Sequence, residues 1–402
     1  MNLLKSKRAT ILLLILILFA CSDNNFSIEK NLNFSTQQIA SAIETAYEFD
    51  KAPRGMKEVG SIKFMDDEFD WTEGFFPGLC WLLYDYSQDE EFKKAAEYFQ
   101  AKYEEHKYYA TNHDLGFIFN CSFGNGYRIT DNKQYKEVLI TATESLIKRY
   151  NPNVGCIQSW DTDRGWQKSR GWQFPVIIDN MMNLEMLFEA TKLTGNQEYH
   201  NIAVNHANAT LDNHFREDFS SYHVIDYDKD SGKVRNRHTA QGYSHESAWA
   251  RGQAWGLYGF TMCYRYTNDE RYLKLAEEIA NFLLSHPNLP KDKIPYWDFD
   301  APKNPEALRD VSAASIISSA LLELDGYSAK DYKTPAKEML ISLSSKKYQT
   351  GGKENILILG HSVGSIPHGA EIDVPIVYAD YYYVEALLRL RNLQNKKESD
   401  IK

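Results

Sequence analysis

Four stretches place charged residues beside aromatic rings at the start of a helical pattern. The first is Gly171-Trp-Gln-Phe-Pro-Val-Ile-Ile-Asp179-Asn-Met-Met-Asn-Leu-Glu185, an aromatic and β-branched run with no charge before Asp179. A lone carboxylate at that junction either caps the helix or works as an acid. Its flanks, Trp172, Phe174, Met181 and Met182, predict desolvation that lifts the carboxyl pKa and keeps a proton available. The second stretch, Asn112-His113-Asp114-Leu-Gly-Phe-Ile-Phe119, sets another acid at a helix head. The third runs from Gln241 to Gly256 and carries Trp249, Arg251 and Trp255. A fourth head, Glu68-Phe-Asp-Trp71-Thr-Glu-Gly, offers a further indole. Each also has a plainer reading: Asp114 as a cap, Arg251 as a structural partner of Glu246 or Asp310, the tryptophans as packing. Recurrence of such heads on alternate helices favours one shared site.

The elements that position them repeat along the chain. Tyr86-Ser-Gln-Asp-Glu-Glu-Phe92, Ile129-Thr-Asp-Asn-Lys-Gln-Tyr135, Leu193-Thr-Gly-Asn-Gln-Glu-Tyr199 and Tyr266-Thr-Asn-Asp-Glu-Arg-Tyr272 are copies of one turn, and 324–332 is a looser fifth. In each, Thr, Asp or Asn supplies the next N-cap, and the following ring begins an apolar stripe such as Tyr272, Leu275, Ala276 and Ile279. Reading outward gives about twelve helices, near 35–50, 72–87, 89–106, 113–128, 132–149, 180–194, 196–212, 249–266, 268–284, 310–325, 330–346 and 376–394. Aromatic, small-residue helices alternate with charged amphipathic ones. That alternation predicts an all-α fold, an inner ring inside an outer ring in an (α/α)6 barrel, with an open solenoid as the alternative. Short strand-like pieces are expected at 220–226, 295–300 and 356–367, on loops of one rim.

Composition bounds the partners. Aromatics make up 13% of the 402 residues, with 26 Tyr and 8 Trp, which suits flat surfaces that stack on sugars or bases. The net charge of −10 and the lack of a basic stripe argue against nucleic acid. Lys5, Lys7 and Arg8 precede the apolar run 11–19, which ends in Leu18-Phe19-Ala20-Cys21. This is read as a signal peptide over 1–20 that resembles a bacterial lipobox, with Cys21 lipidated, a polar tether over 21–33, one domain over 34–396, and a polar tail over 397–402. The expected location is therefore an exported lipoprotein, periplasmic or on the cell surface. Cys80, Cys121, Cys156 and Cys263 show neither a CxxC pair nor metal-ligand spacing, and no metal or organic cofactor is implied.

Together, His-Asp-Leu-Gly-Phe, Gly155-Cys-Ile-Gln-Ser-Trp160-Asp161, the Asp179 segment and Trp-Ala-Arg-Gly-Gln-Ala-Trp-Gly resemble the unsaturated glucuronyl hydrolases of glycoside hydrolase family 88. The resemblance spans nearly the whole chain after the tether and independently implies an (α/α)6 barrel. It implies an enzyme that removes a 4,5-unsaturated uronic acid from the non-reducing end of lyase-made oligosaccharides, of glycosaminoglycan or ulvan type. It makes Asp179 the acid and then the base of a hydration, and Asp114 a second essential carboxylate that stays ionised. By the same resemblance His113, His223, Thr239, Gln241, Arg251 and Trp255 bind the uronate, with Arg251 as the fork for its carboxylate. Trp71, Trp160 and Trp249 are expected as stacking walls. The chain departs from the family in extra polar residues at 162–170, which should reshape the entrance, and in His245, which stands where an acidic pair is usual. A loop that accepts sulfate in some relatives keeps Ser362 and Ser365 here but has Pro367 in place of Lys. Other readings are an unsaturated rhamnogalacturonyl hydrolase, a sugar 2-epimerase using His113 and His223, and a non-catalytic glycan-binding lipoprotein.

Overall fold

The computed structural model describes residues 26–401 apart from 59–60, 67, 303–306 and 352–354. The expected signal peptide over 1–20, Cys21 and the beginning of the expected tether lie outside the described residues. Helices follow in the order α1 Ile28–Phe49, α2 Phe75–Ser87, α3 Glu90–Lys102, α4 Leu115–Phe119, α5 Asn125–Thr130, α6 Lys133–Ile147 and α7 Leu184–Thr194. The rest are α8 Gln197–Asn213, α9 Ala250–Thr267, α10 Glu270–Ser285, α11 Val311–Leu324, α12 Lys333–Leu343 and α13 Val377–Ile401.

The inner ring is α2, α4 with α5, α7, α9, α11 and α13, each packed on the next, and α13 returns to α2 to close the circle. The outer helices are α1, α3, α6, α8, α10 and α12. Closure also ties the two ends of the chain, because the first helix, α1, packs against the last, α13. This is the expected (α/α)6 barrel. The alternation in sequence maps onto the rings: α9 and α11 are buried on nearly every side, whereas α10 buries only Tyr272, Leu275, Ala276, Ile279, Ala280 and Leu283.

The repeated turns share one backbone solution. Gln88, Asp131, Gly195 and Asn268 each end an inner helix in the left-handed region. Asp89, Asn132, Asn196 and Asp269 then cap the following outer helix by accepting a backbone N–H. The fifth turn differs: α12 has no side-chain cap, and Asp325 instead accepts N–H groups from Tyr332 and Lys333.

Several boundaries move. The first helix begins at Ile28, six residues inside the expected tether, because Ser27 caps it and Ile28 and Leu32 are buried. The last runs to Ile401, into the expected tail. The predicted 113–128 helix is broken into α4 and α5 by a π turn at Asn120–Gly124. That of 180–194 starts as a 3-10 turn, Ile178–Asn183, before α7. Of the strand-like pieces, 220–226 contains the start of Val224–Tyr227 and 356–367 contains Ser362–Ser365. The stretch 295–300 is not a strand; isolated bridges, Trp249 to Asp298 and Tyr296 to Arg309, hold it. The apolar run before Asp179 forms strand Phe174–Ile177, paired antiparallel to Val224–Tyr227, which pairs in turn with Val234–His238.

One close approach fixes the geometry between α4 and the 3-10 turn. A Cβ on Gly116 would lie 2.4 Å from Asn183 Cα. Asn183 uses that proximity: its Oδ1 accepts the Phe117 N–H at 3.1 Å, and its Nδ2 faces His113 Nδ1 at 3.3 Å. Gly116→Ala should therefore separate the two segments and destabilise the fold by about 3 kcal/mol in urea unfolding, where overpacking a rigid backbone contact dominates. Gly351→Ala, with nothing within 4 Å of the new carbon, should shift stability by less than about 0.5 kcal/mol.

Candidate active site

Asp179 and Asp114 meet at one mouth of the barrel, in a cavity of about 80 Å³ whose walls include Trp71, Phe117, Trp160, Ile177, Gln241 and Arg251. Neither acid caps a helix: no side-chain cap bond is made at the head of the 3-10 turn, of α7 or of α4. Each is 8% exposed. Burial in this pocket raises the Asp179 carboxyl to about 7, opposed by the nearby Arg251 charge and by the Trp255 indole N–H. Neither that N–H nor Asp179 Oδ2 has a hydrogen-bond partner among the described residues.

Of the four apolar flanks named from sequence, three face elsewhere. Phe174 points into a separate cluster with Val176 and Tyr227, Met181 packs beneath Gly259, and Met182 lines a cavity elsewhere. Phe117 and Ile177 do the work near the acid, and neither was singled out from sequence. Phe117 stood within the quoted His-Asp-Leu-Gly-Phe motif, but nothing local shows which way its ring turns.

A neutral histidine faces each acid. His223 Nδ1 accepts backbone N–H groups from Ala240 at 3.1 Å and Gln241 at 3.2 Å, so its proton sits on Nε2. That Nε2 is 3.6 Å from Asp179 Oδ2. His113 Nδ1 faces the Asn183 amide N–H₂, leaving Nε2–H turned to Asp114 Oδ1 at 3.3 Å. Burial holds His113 at about 3 and His223 well below its ordinary value, so both are uncharged donors at neutral pH. Paired basic histidines, as an epimerase needs, are not what these rings offer.

Four expectations are corrected here. Burial, then the neighbouring Asp179, pushes the Asp114 carboxyl well above the usual range, against the ionised state expected of it. Arg251 is not a free fork. It donates to Asp310 at 3.0 Å, to Gln241 at 2.8 Å and to the Val363 and Gly364 carbonyls, which leaves it as a fixed buried charge. Asp310 is thus the structural partner weighed from sequence. Trp249 is no wall of the cavity; it is buried behind His223, at a 4.6 Å ring separation, and beneath Arg251. Thr239 and Ser365 are engaged within the protein: Thr239 Oγ1 accepts the Gly242 N–H, and Ser365 Oγ bonds His368 Nδ1.

Residues 162–170 are ordered at the entrance. Trp166 heads a 3-10 turn, Trp166–Arg170, with its ring 5.1 Å from Trp160, 5.9 Å from Trp172 and 4.9 Å from His368. Arg170 lies over both Trp166 and Trp172.

The profile of Glycosyl Hydrolase Family 88 matches residues 48–389. The chain belongs to glycoside hydrolase family 88. This family 88 enzyme is 48% identical over 344 residues to the unsaturated glucuronyl hydrolase of Formosa agariphila, covering 85% of each chain. It is 36% identical over 336 residues to the unsaturated chondroitin disaccharide hydrolase of Streptococcus pneumoniae, covering 80% of this chain and 82% of that one. Among solved structures it is similar to an unsaturated glucuronyl hydrolase specific for heparin, at 44% identity and a TM-score of 0.85, covering 91% of this chain and 98% of that one.

The raised carboxyl has a cost in stability. The unfolded Asp179 ionises near its ordinary 3.8, the folded one near 7. Its contribution is therefore intact below 3.8 and is lost as pH rises toward 7. Asp179→Asn should stabilise the folded enzyme by roughly 2–4 kcal/mol at pH 8, and the gain should vanish at pH 3.5. Urea unfolding of both proteins across that range checks it.

Proposed function

We propose that this chain removes a 4,5-unsaturated uronic acid from the non-reducing end of lyase-generated oligosaccharides by hydrating the vinyl ether. The single observation that carries the mechanism is Asp179: a buried acid near neutrality that lines the cavity, with its Oδ2 unpartnered among the described residues. The family membership and the similar unsaturated glucuronyl hydrolases support the substrate class.

In the proposed reaction Asp179 donates its proton to C4 of the C4=C5 double bond. Positive charge develops on C5 and the ring oxygen, and Asp179, now a carboxylate, takes a proton from the water that adds at C5. The resulting hemiketal opens to a C5 ketone and a C1 hemiacetal. Collapse of the hemiacetal to an aldehyde releases the leaving saccharide as an alcohol. One water is consumed, and the acid is regenerated. Paired carboxylates acting directly on the anomeric carbon are not required. Asp114, its carboxyl raised by burial beside Asp179, positions sugar hydroxyls. His223 Nε2–H steadies the Asp179 carboxylate, and the fixed Arg251 charge keeps the acid near 7 instead of higher. The aromatic faces of Trp71 and Trp160 flank the ring.

Export and lipidation at Cys21, and action downstream of a polysaccharide lyase, complete the reading. The lipobox-like segment supports the first, and the origin of the unsaturated sugar supports the second. Cys21→Ser should move the protein from the membrane fraction to the soluble one.

Protein lacking residues 1–21 should consume a lyase-made unsaturated disaccharide, with loss of ultraviolet absorbance from the conjugated double bond, and should leave the saturated disaccharide intact. kcat should fall about tenfold per pH unit above pH 7, as Asp179 loses its proton, and Asp179→Asn should lower it by at least about a thousandfold. Release of the leaving saccharide from the saturated disaccharide would refute the hydration.

A further inference from the structure

A second cavity, of about 590 Å³, opens beside the acid pocket and shares Trp160 with it. The partition between them is rigid. Asn112 and Trp160 form a backbone bridge, and Asn112 Oδ1 accepts the Asp114 N–H. We infer that this trough holds the leaving saccharide of substrates longer than a disaccharide, that it takes uncharged sugar residues, and that Tyr109, Arg164 and Gln167 grip them. The inference rests on the acid pocket holding the unsaturated uronate.

Volume gives the first argument. A cavity of about 80 Å³ around the acids has no room for a chain, and the much larger trough borders it at Trp160. The second is the platform. Phe69 and Tyr109 stack with centroids 4.9 Å apart and planes 9° apart, yet Tyr109 remains 43% exposed. A flat ring kept in water beside a sugar-binding pocket suits the C–H face of a pyranose.

Charge gives the third. Arg164 is ion-paired with Asp161, which also holds the buried Arg149 at 2.9 Å, and His106 is held by Glu73 at 2.7 Å. Each cationic side chain lining the trough thus already has a carboxylate, and Glu68 adds a further negative charge. A sulfate or second uronate would meet Glu68 and Asp161 without a free counter-charge. A hydroxyl-rich neutral ring meets an amide, Gln167, and the outer N–H groups of Arg164. Both residues come from segment 162–170, so the preference belongs to that stretch of the chain.

The test compares kcat/KM for an unsaturated disaccharide, an unsaturated tetrasaccharide with neutral leaving residues, and the same tetrasaccharide sulfated beyond the first leaving ring. The native enzyme should favour the neutral tetrasaccharide over the disaccharide by about tenfold, the scale of one stacking contact with its hydrogen bonds. In Tyr109→Ala, and in the Arg164→Ala/Gln167→Ala double variant, that ratio should fall toward one. The sulfated tetrasaccharide should lose the advantage in the native enzyme. An unchanged ratio in the variants, or a gain from sulfate, overturns the inference. Binding of a saturated neutral trisaccharide, measured by calorimetry, separates this from the catalytic reading. It should be weakened by Tyr109→Ala whether or not any substrate is turned over, and equal binding to both proteins counts against the trough.

Discussion

The site depends on two backbones touching where residue 116 has no side chain. α4 carries His113 and Asp114 at its head, and the 3-10 turn before α7 carries Asp179. They converge because Asn183 can sit directly against Gly116. Asn183 is then the hinge pin of the pocket: one side-chain oxygen satisfies Phe117, whose ring dries the acids, and the amide N–H₂ sets the His113 tautomer. Inner-ring packing supplies the rigidity, and outer-ring caps hold the inner helices in register.

Given that convergence, the electrostatics follow from competition between desolvation and charge. Two buried carboxyls share a small cavity, each faced by an uncharged imidazole, so both carboxyls are pushed up. The Arg251 charge pulls the other way, and it does so from a place where four acceptors lock it. A cation so immobilised tunes the neighbouring acid without having to move when substrate arrives. Hairpin strand Ser362–Ser365 presents the Val363 and Gly364 carbonyls to Arg251, which ties a loop far along the chain to the proton inventory of Asp179.

Much of this was legible in sequence, for local reasons. The repeated turns carry their own caps, so Asp89, Asn132, Asn196 and Asp269 announce the helices they start, and alternation of aromatic with amphipathic helices announces two rings. The helix heads bearing Asp114 and Asp179 were likewise readable, because an acid in an apolar run at a helix start is uncommon. Tertiary facts were not. Nothing near Arg251 in the chain says that its fork is spent on Asp310, Gln241 and two carbonyls. Three of the apolar residues flanking Asp179 face away from it, since a strand and then a 3-10 turn send Phe174, Met181 and Met182 in different directions while Ile177 lines the pocket. Asp114 looked like an ionised partner because the closeness of Asp179 and the depth of burial are properties of the folded pocket alone. Helix α1 ran into the expected tether because a few buried side chains, Ile28 and Leu32 among them, outweigh a polar average.

The central claim is that carbon C4, not the glycosidic oxygen, receives the first proton. The most direct measurement is turnover of an unsaturated disaccharide in D₂O, with early product analysed by NMR. The account predicts one deuterium at C4, on a single face, in every product molecule. Product that carries no deuterium at C4 would contradict it and place the chemistry at the glycosidic bond.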